Sequence, residues 1–170
     1  DGRGDGWGIE PLSGHARTWG EMRHGFGGEG RAAVVLGENP AATEPDGNSV
    51  AAAFRDLEFL VVVDLFETET TAHADVILPG SAWAEKAGTV TNTDRQVLRM
   101  RRMTDPPGGA RRDLDIVAAL GERLTGQPFA SDPEAVFDEL TRVTPIYAGM
   151  SYDGVDDGGR LAVIPTPASR

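Results

Sequence analysis

The chain has no cysteine in its 170 residues. Disulfides, thiolate zinc sites, cysteine-held iron–sulfur clusters and a cysteine nucleophile are therefore excluded from it. Lysine is nearly absent too, with Lys86 the single lysine among 16 basic residues. Against these stand 27 acidic residues, for a formal net charge of −11 and a pI near 4.6. Binding to a nucleic-acid backbone by counterion release needs a positive face, so nucleic acid is not an expected partner. No apolar run approaches the roughly 20 residues that cross a bilayer, and no charged-then-apolar leader opens the chain. A cytoplasmic setting is expected. His15, His24 and His73 lie far apart, and no spacing makes them a metal site or a triad with Ser81. No catalytic or metal-ligating residue is expected in this chain.

With 39% hydrophobic residues, the chain can bury a core of single-domain size. Glycine crowds the first thirty residues, so 1–30 reads as a flexible segment with at most a short helix at Thr18 to Arg23, capped by Thr18. Arg31 to Gly37 is an unbroken apolar run of the buried parallel-strand type. The loop Glu38 to Gly47 follows, with Pro40 and Pro45 expected to bar helix inside it. Asn48 is the expected cap of a helix through about Asp56, with Val50, Ala53, Phe54 and Leu57 on one face. A second strand is expected over Phe59 to Phe66. Thr68 caps a short helix that leads to a third strand, Asp75 to Pro79.

Strand, helix, strand, helix, strand predicts an α/β fold, a Rossmann-like doubly wound parallel sheet with helices on both faces. Right-handed crossovers put its loops on one side. Downstream, Thr89 to Met100 alternates as a hairpin or edge strand, and Asp105 to Ala110 is a turn. Asp113 to Leu124 is an amphipathic helix ending at Gly126. Asp132 opens another helix, with Pro133 at its first position. The expected domain spans 31–150, with a loose tail over 151–170.

Ligands of such sheets sit beyond the carboxyl ends of the strands, and several residues there can carry chemistry. In Gly37 to Thr43, Gly37 lets the backbone approach a ligand, and Asn39 and Thr43 offer hydrogen bonds. The loop is neither GxGxxG nor a Walker motif, and an ordinary βα turn explains it as well. Asp64 ends the second strand, where a carboxylate can grip ribose hydroxyls or cap a turn. Asp113 is favoured by the helix macrodipole in a first helical turn. It can also accept from the N1 and N2 edge of a guanine through both oxygens. Arg95, Arg99, Arg101, Arg102, Arg111 and Arg112 form a basic cluster that reads either as a solvated face or as a seat for a phosphate-bearing small molecule.

Taken in order, GENPAATEPD, FLVVVDLFETETTAHADVILPGSAWAEKAGTVTNTDRQVLRMRR, PPGGARRDLDIVAALGERL and TPIYAGMSYDGV resemble the catalytic subunit of molybdopterin oxidoreductases. The resemblance runs from about Arg31 to Tyr152 and is greatest to formate dehydrogenase alpha subunits. It implies a domain that holds a bis-molybdopterin guanine dinucleotide carrying molybdenum or tungsten. By position it implies cofactor contacts from Gly37, Glu38, Asn39, Thr43, Val63, Asp64, Gly80 and Asp113. Many relatives carry Gln at Val63, so a contact there would be made by backbone. The family's cluster-binding cysteines and its metal-ligating Cys or selenocysteine are not in this chain, and RLAVIPTP replaces a Trp-Pro-Cys segment. An internal fragment is therefore expected, inactive alone. An iron–sulfur cluster, the rest of the catalytic subunit and electron-transfer subunits are expected to complete it around a small-molecule substrate. Assimilatory nitrate reductase, a pterin-free scaffold domain of the NADH dehydrogenase iron–sulfur subunit, and an unrelated nucleotide-binding module remain alternatives.

Overall fold

The computed structural model describes residues 18–155 and 160–161. The first seventeen residues of the expected glycine-rich segment, with His15, lie outside the described residues, as does nearly all of the expected tail beyond 155. The chain forms two compact units. The described part of the first is 18–82 with the returning segment Pro106–Asp113, and that of the second is Trp83–Asp105 with 114–155 and 160–161.

The first unit opens with helix α1 (Trp19–His24), one and a half turns held by a reciprocal cap. The Thr18 amide donates to the Glu21 carboxylate at 2.7 Å, and the Glu21 amide donates to the Thr18 hydroxyl at 3.3 Å, which satisfies two otherwise orphaned helix donors. Strands β1 (Ala32–Leu36), β2 (Phe59–Asp64) and β3 (Val76–Pro79) form a parallel sheet in the order β1-β2-β3. Sequential order in a parallel sheet is that of a mononucleotide-binding half of a Rossmann fold. The α/β, Rossmann-like expectation holds.

Register explains the core. Val35 pairs with Val62 and Ala33 with Leu60, so these four share one face of the pleated sheet. That face packs on helix α3 (Gly47–Arg55) through Val50 and Phe54, with Leu57 beside them. Trp19, Phe26 and Phe54 meet with ring centroids 6.0–6.4 Å apart, and the His73 ring lies 6.0 Å from Phe54. Asp75 fixes the entry to the centre strand, its amide donating to the Leu60 carbonyl and its carboxylate accepting from the Leu60 amide at 2.7 Å.

Three local expectations are corrected. Pro40 does not bar helix: it is the first residue of a single turn, α2 (Pro40–Thr43), where a missing amide hydrogen costs nothing. Helix α3 is capped by Asp46, whose carboxylate accepts from the Ser49 amide at 3.0 Å, and Asn48 lies inside the helix. Strand β2 stops at Asp64, because the Leu65 amide turns back onto the Asp64 carboxylate at 2.6 Å. The short segment after it is a 3-10 turn, Thr71–His73.

In the second unit, β4 (Gly88–Thr91) and β5 (Gln96–Met100) form the expected hairpin, and β6 (Arg160–Leu161) pairs antiparallel with β5. Arg95 closes the hairpin turn in the left-handed region at φ 64°. Helix α4 (Asp113–Thr125) runs into this unit from the returning segment, and α5 (Pro133–Val143) is capped by Asp132 as read from the sequence. Val97, Phe137, Tyr152 and Val155 make a separate core. The Arg99 guanidinium lies 4.2 Å over the Tyr152 ring and donates to Asp153 at 2.9 Å. No described helix is long and apolar enough to cross a membrane.

Candidate functional site

Because the three strands of the first unit are parallel, their carboxyl ends share one rim. Backbone hydrogen bonds tie that rim together. The Gly37 amide donates to the Val63 carbonyl at 2.8 Å, the Gly80 amide to the Asp64 carbonyl at 3.0 Å, and the Arg111 amide to the Pro79 carbonyl at 3.0 Å. Gly37 turns the chain out of β1 at φ 61°, a conformation that a side chain disfavours. All eight candidate residues, Gly37, Glu38, Asn39, Thr43, Val63, Asp64, Gly80 and Asp113, thus fall in one compact unit. The same registry separates two of the carboxylates. Asp64 pairs with Pro79 and alternates with Val63, whereas a Cβ on Gly80 would meet both Val63 and Asp113. Asp113 therefore reaches the rim from the Val63 face, and Asp64 leaves it on the other.

The contact at the end of β3 is the most constrained. A Cβ on Gly80 would lie 2.6 Å from Asp113 Oδ1 and 3.6 Å from Val63 Cγ1. The absent side chain is what lets the carboxylate stand beside the strand end. Next in sequence, Ser81 is only 1% exposed, and its hydroxyl has no partner among the described residues. A buried hydroxyl without a partner is uncommon, and sequence reading did not single it out in this role.

Asn39 is committed inside the protein. Its Oδ1 accepts from both the amide (3.1 Å) and the hydroxyl (2.7 Å) of Thr70, and its Nδ2 donates to the Glu69 carboxylate at 2.8 Å. The Thr70 hydroxyl in turn accepts from the Ala41 amide at 3.1 Å. Asn39 thus clamps the loop after β1 to the segment after β2. The Asn39 hydrogen bond, reinforced by one to its own backbone, holds the Glu69 carboxyl below the usual carboxylate range. Glu69 and Thr70 are hydrogen-bond partners of Asn39 that sequence reading missed; the available signal was the run of threonines Thr68, Thr70 and Thr71 after a strand end. Thr43 is likewise engaged, donating toward Glu38 Oε1 at 2.9 Å and the Asn39 carbonyl at 3.0 Å.

The rim therefore offers the Glu38 and Asp113 carboxylates, an acceptor set suited to hydroxyls and ring N–H groups, with Asp64 on the opposite face of the sheet. These features define a Rossmann-like α/β unit with an acidic rim. A family model described as molybdopterin oxidoreductase matches residues 9–123. The chain belongs to the molybdopterin oxidoreductase family. It is similar to the F420-dependent formate dehydrogenase 1 subunit alpha of Methanococcus maripaludis, at 45% identity over 126 residues, 72% of this chain and 19% of the relative. It is also similar to the F420-dependent formate dehydrogenase subunit alpha of Methanocaldococcus jannaschii, at 46% over 120 residues, 69% of this chain and 18% of the relative. The F420-dependent formate dehydrogenase 2 subunit alpha of M. maripaludis matches at 43% over 141 residues, 80% and 21%. The chain spans about a fifth of the length of these relatives.

The family implies a molybdopterin cofactor. The space that a Cβ on Gly80 would fill leaves room for the Asp113 carboxylate, an acceptor pair matched to adjacent N–H donors.

Proposed function

We propose that this chain is the guanine-dinucleotide-holding segment of a formate dehydrogenase, working in the cytoplasm with a bis-molybdopterin guanine dinucleotide that carries molybdenum or tungsten. The reading is supported by family membership, by formate dehydrogenase subunits among the relatives, and above all by the Asp113 carboxylate standing where a side chain on Gly80 would otherwise be. In this reading Asp113 accepts from N1–H and N2–H of the guanine. Gly37, Glu38 and Val63 line the base with backbone, and Asp64, on the opposite face of the sheet and bonded to the Leu65 amide, acts by shaping the strand end. Asn39 and Thr43 act by holding the first loop in place, since their side chains are already bonded within the chain. When bound, the cofactor supplies the metal centre at which formate is oxidised to carbon dioxide. An iron–sulfur cluster, the remainder of the catalytic subunit and electron-transfer subunits complete the enzyme; the share of the relatives' length that this chain covers supports that division. The test is Asp113→Ala in the intact subunit, which should lower both metal and pterin content per polypeptide and, in proportion, formate-dependent dye reduction. Unchanged metal and pterin would overturn the assignment.

A further inference from the structure

A guanine dinucleotide brings a diphosphate, and the ionisable groups considered so far at the rim are all acidic. Glu38, Asp64, Glu69 and Asp113 would each repel phosphate oxygens, and backbone amides already spent on Val63, Asp64 and Pro79 carbonyls cannot answer that charge. A cation is needed, and the returning segment supplies two arginines, Arg111 and Arg112. Arg112 is engaged within the chain. Arg111 has an exposed side chain, while its backbone is pinned to the rim by the 3.0 Å hydrogen bond to the Pro79 carbonyl. It stands two residues before Asp113, so the carboxylate and the guanidinium leave the same short stretch. Of the rest of the basic cluster, Arg99 is held by Tyr152 and Asp153, Arg102 by Asp105 at 2.7 Å, Arg101 is engaged within the chain, and Arg95 lies in the hairpin turn of the second unit.

We infer that Arg111 is a phosphate-binding residue, its guanidinium seating the diphosphate of the nucleotide whose base Asp113 reads. This rests on the reading of the rim as a guanine site. Arginine suits the task because its planar fork meets two phosphate oxygens at once, and here the backbone is fixed while the side chain is exposed. The returning segment then meets the nucleotide at two points, charge at Arg111 and base edge at Asp113.

Calorimetric titration of the 170-residue chain with guanosine diphosphate and with guanosine separates the two. The unsubstituted chain should bind the diphosphate more tightly, with an advantage that shrinks as salt rises. Arg111→Gln should weaken diphosphate binding by about ten-fold or more, leave guanosine unchanged and flatten the salt dependence, and Arg111→Lys should restore part of the loss. Asp113→Asn should weaken both ligands. If Arg111→Gln leaves the diphosphate untouched while Asp113→Asn weakens both, the phosphate seat is wrong and the guanine reading stands. If the unsubstituted chain binds neither, or Asp113→Asn changes neither, the guanine reading fails and the phosphate seat fails with it.

Discussion

At the scale of single residues, Asn39 shows why a side chain at a ligand rim need not touch a ligand. Its carboxamide saturates Thr70, which is 0% exposed, and Glu69. Asn39→Ala would leave a buried amide and hydroxyl without their acceptor, at a cost of about 1–3 kcal/mol, measurable by chemical denaturation. In the same variant the Glu69 carboxyl should titrate closer to its ordinary range by NMR, since its largest stabilising contact is gone. The sign follows from the direction of the shift. A carboxyl lowered in the folded state contributes stability above its unfolded value and loses it as pH falls through the folded value. The Asn39–Glu69 bond therefore helps at neutral pH and lapses in acid. Gly80 is the opposite case, a residue that matters for what it lacks. Gly80→Ala puts a methyl group against Asp113 Oδ1, and because the obstructing atom ends a side chain, the carboxylate gives way before the backbone does. The expected loss is at the low end of about 1–3 kcal/mol. Combined with Asp113→Ala, the loss should be less than the two effects summed.

At the scale of elements, the unbroken apolar runs made β1, β2 and β3 legible, and the alternation after Gly88 made the hairpin legible. A buried parallel strand needs little beyond continuous aliphatic residues. Ends were harder, because several residues of the right type compete. Asp46 and Asn48 are both good helix caps, and only the fold, by placing the Asp46 carboxylate on the Ser49 amide, chooses between them. Asp46→Ala should cost about 1 kcal/mol, while Asn48→Ala, inside the helix, should be neutral or slightly stabilising on thermal denaturation. Pro40 misled for a related reason: the same ring that breaks a helix interior opens a helix at its first position. The engagement of Asn39 was harder still, since its partners lie beyond a helix, a strand and a turn, and the run of threonines after β2 marked a polar segment without naming what it would hold.

At the scale of the whole chain, two cores share no residue. One is centred on Val35, Val50, Phe54, Leu60 and Val62, the other on Val97, Phe137, Tyr152 and Val155. Leu60→Ala should cost about 2–5 kcal/mol and Phe137→Ala about 3–5 kcal/mol. Without shared partners, the double variant should lose their sum to within about 0.5 kcal/mol in denaturant titrations; a markedly smaller loss would show that the two cores act as one. The rim's position, by contrast, followed from topology alone, as strands running the same way must end on the same side.

The three-stranded sheet also has a consequence for handling the protein. With β2 in the centre, β1 and β3 are its outer strands among the described residues. β1 is five aliphatic residues without a proline or a charge, and Val34 and Leu36 on it are exposed. Such a border is a template for lateral growth, open to any extended polypeptide that can dock its own main chain there. Arg31, the nearest guard, is itself paired to Glu58 at 2.6 Å. Concentrated solutions of the isolated chain should accordingly thicken into ordered aggregates seeded along this border, and a lysine in place of Val34 should delay them.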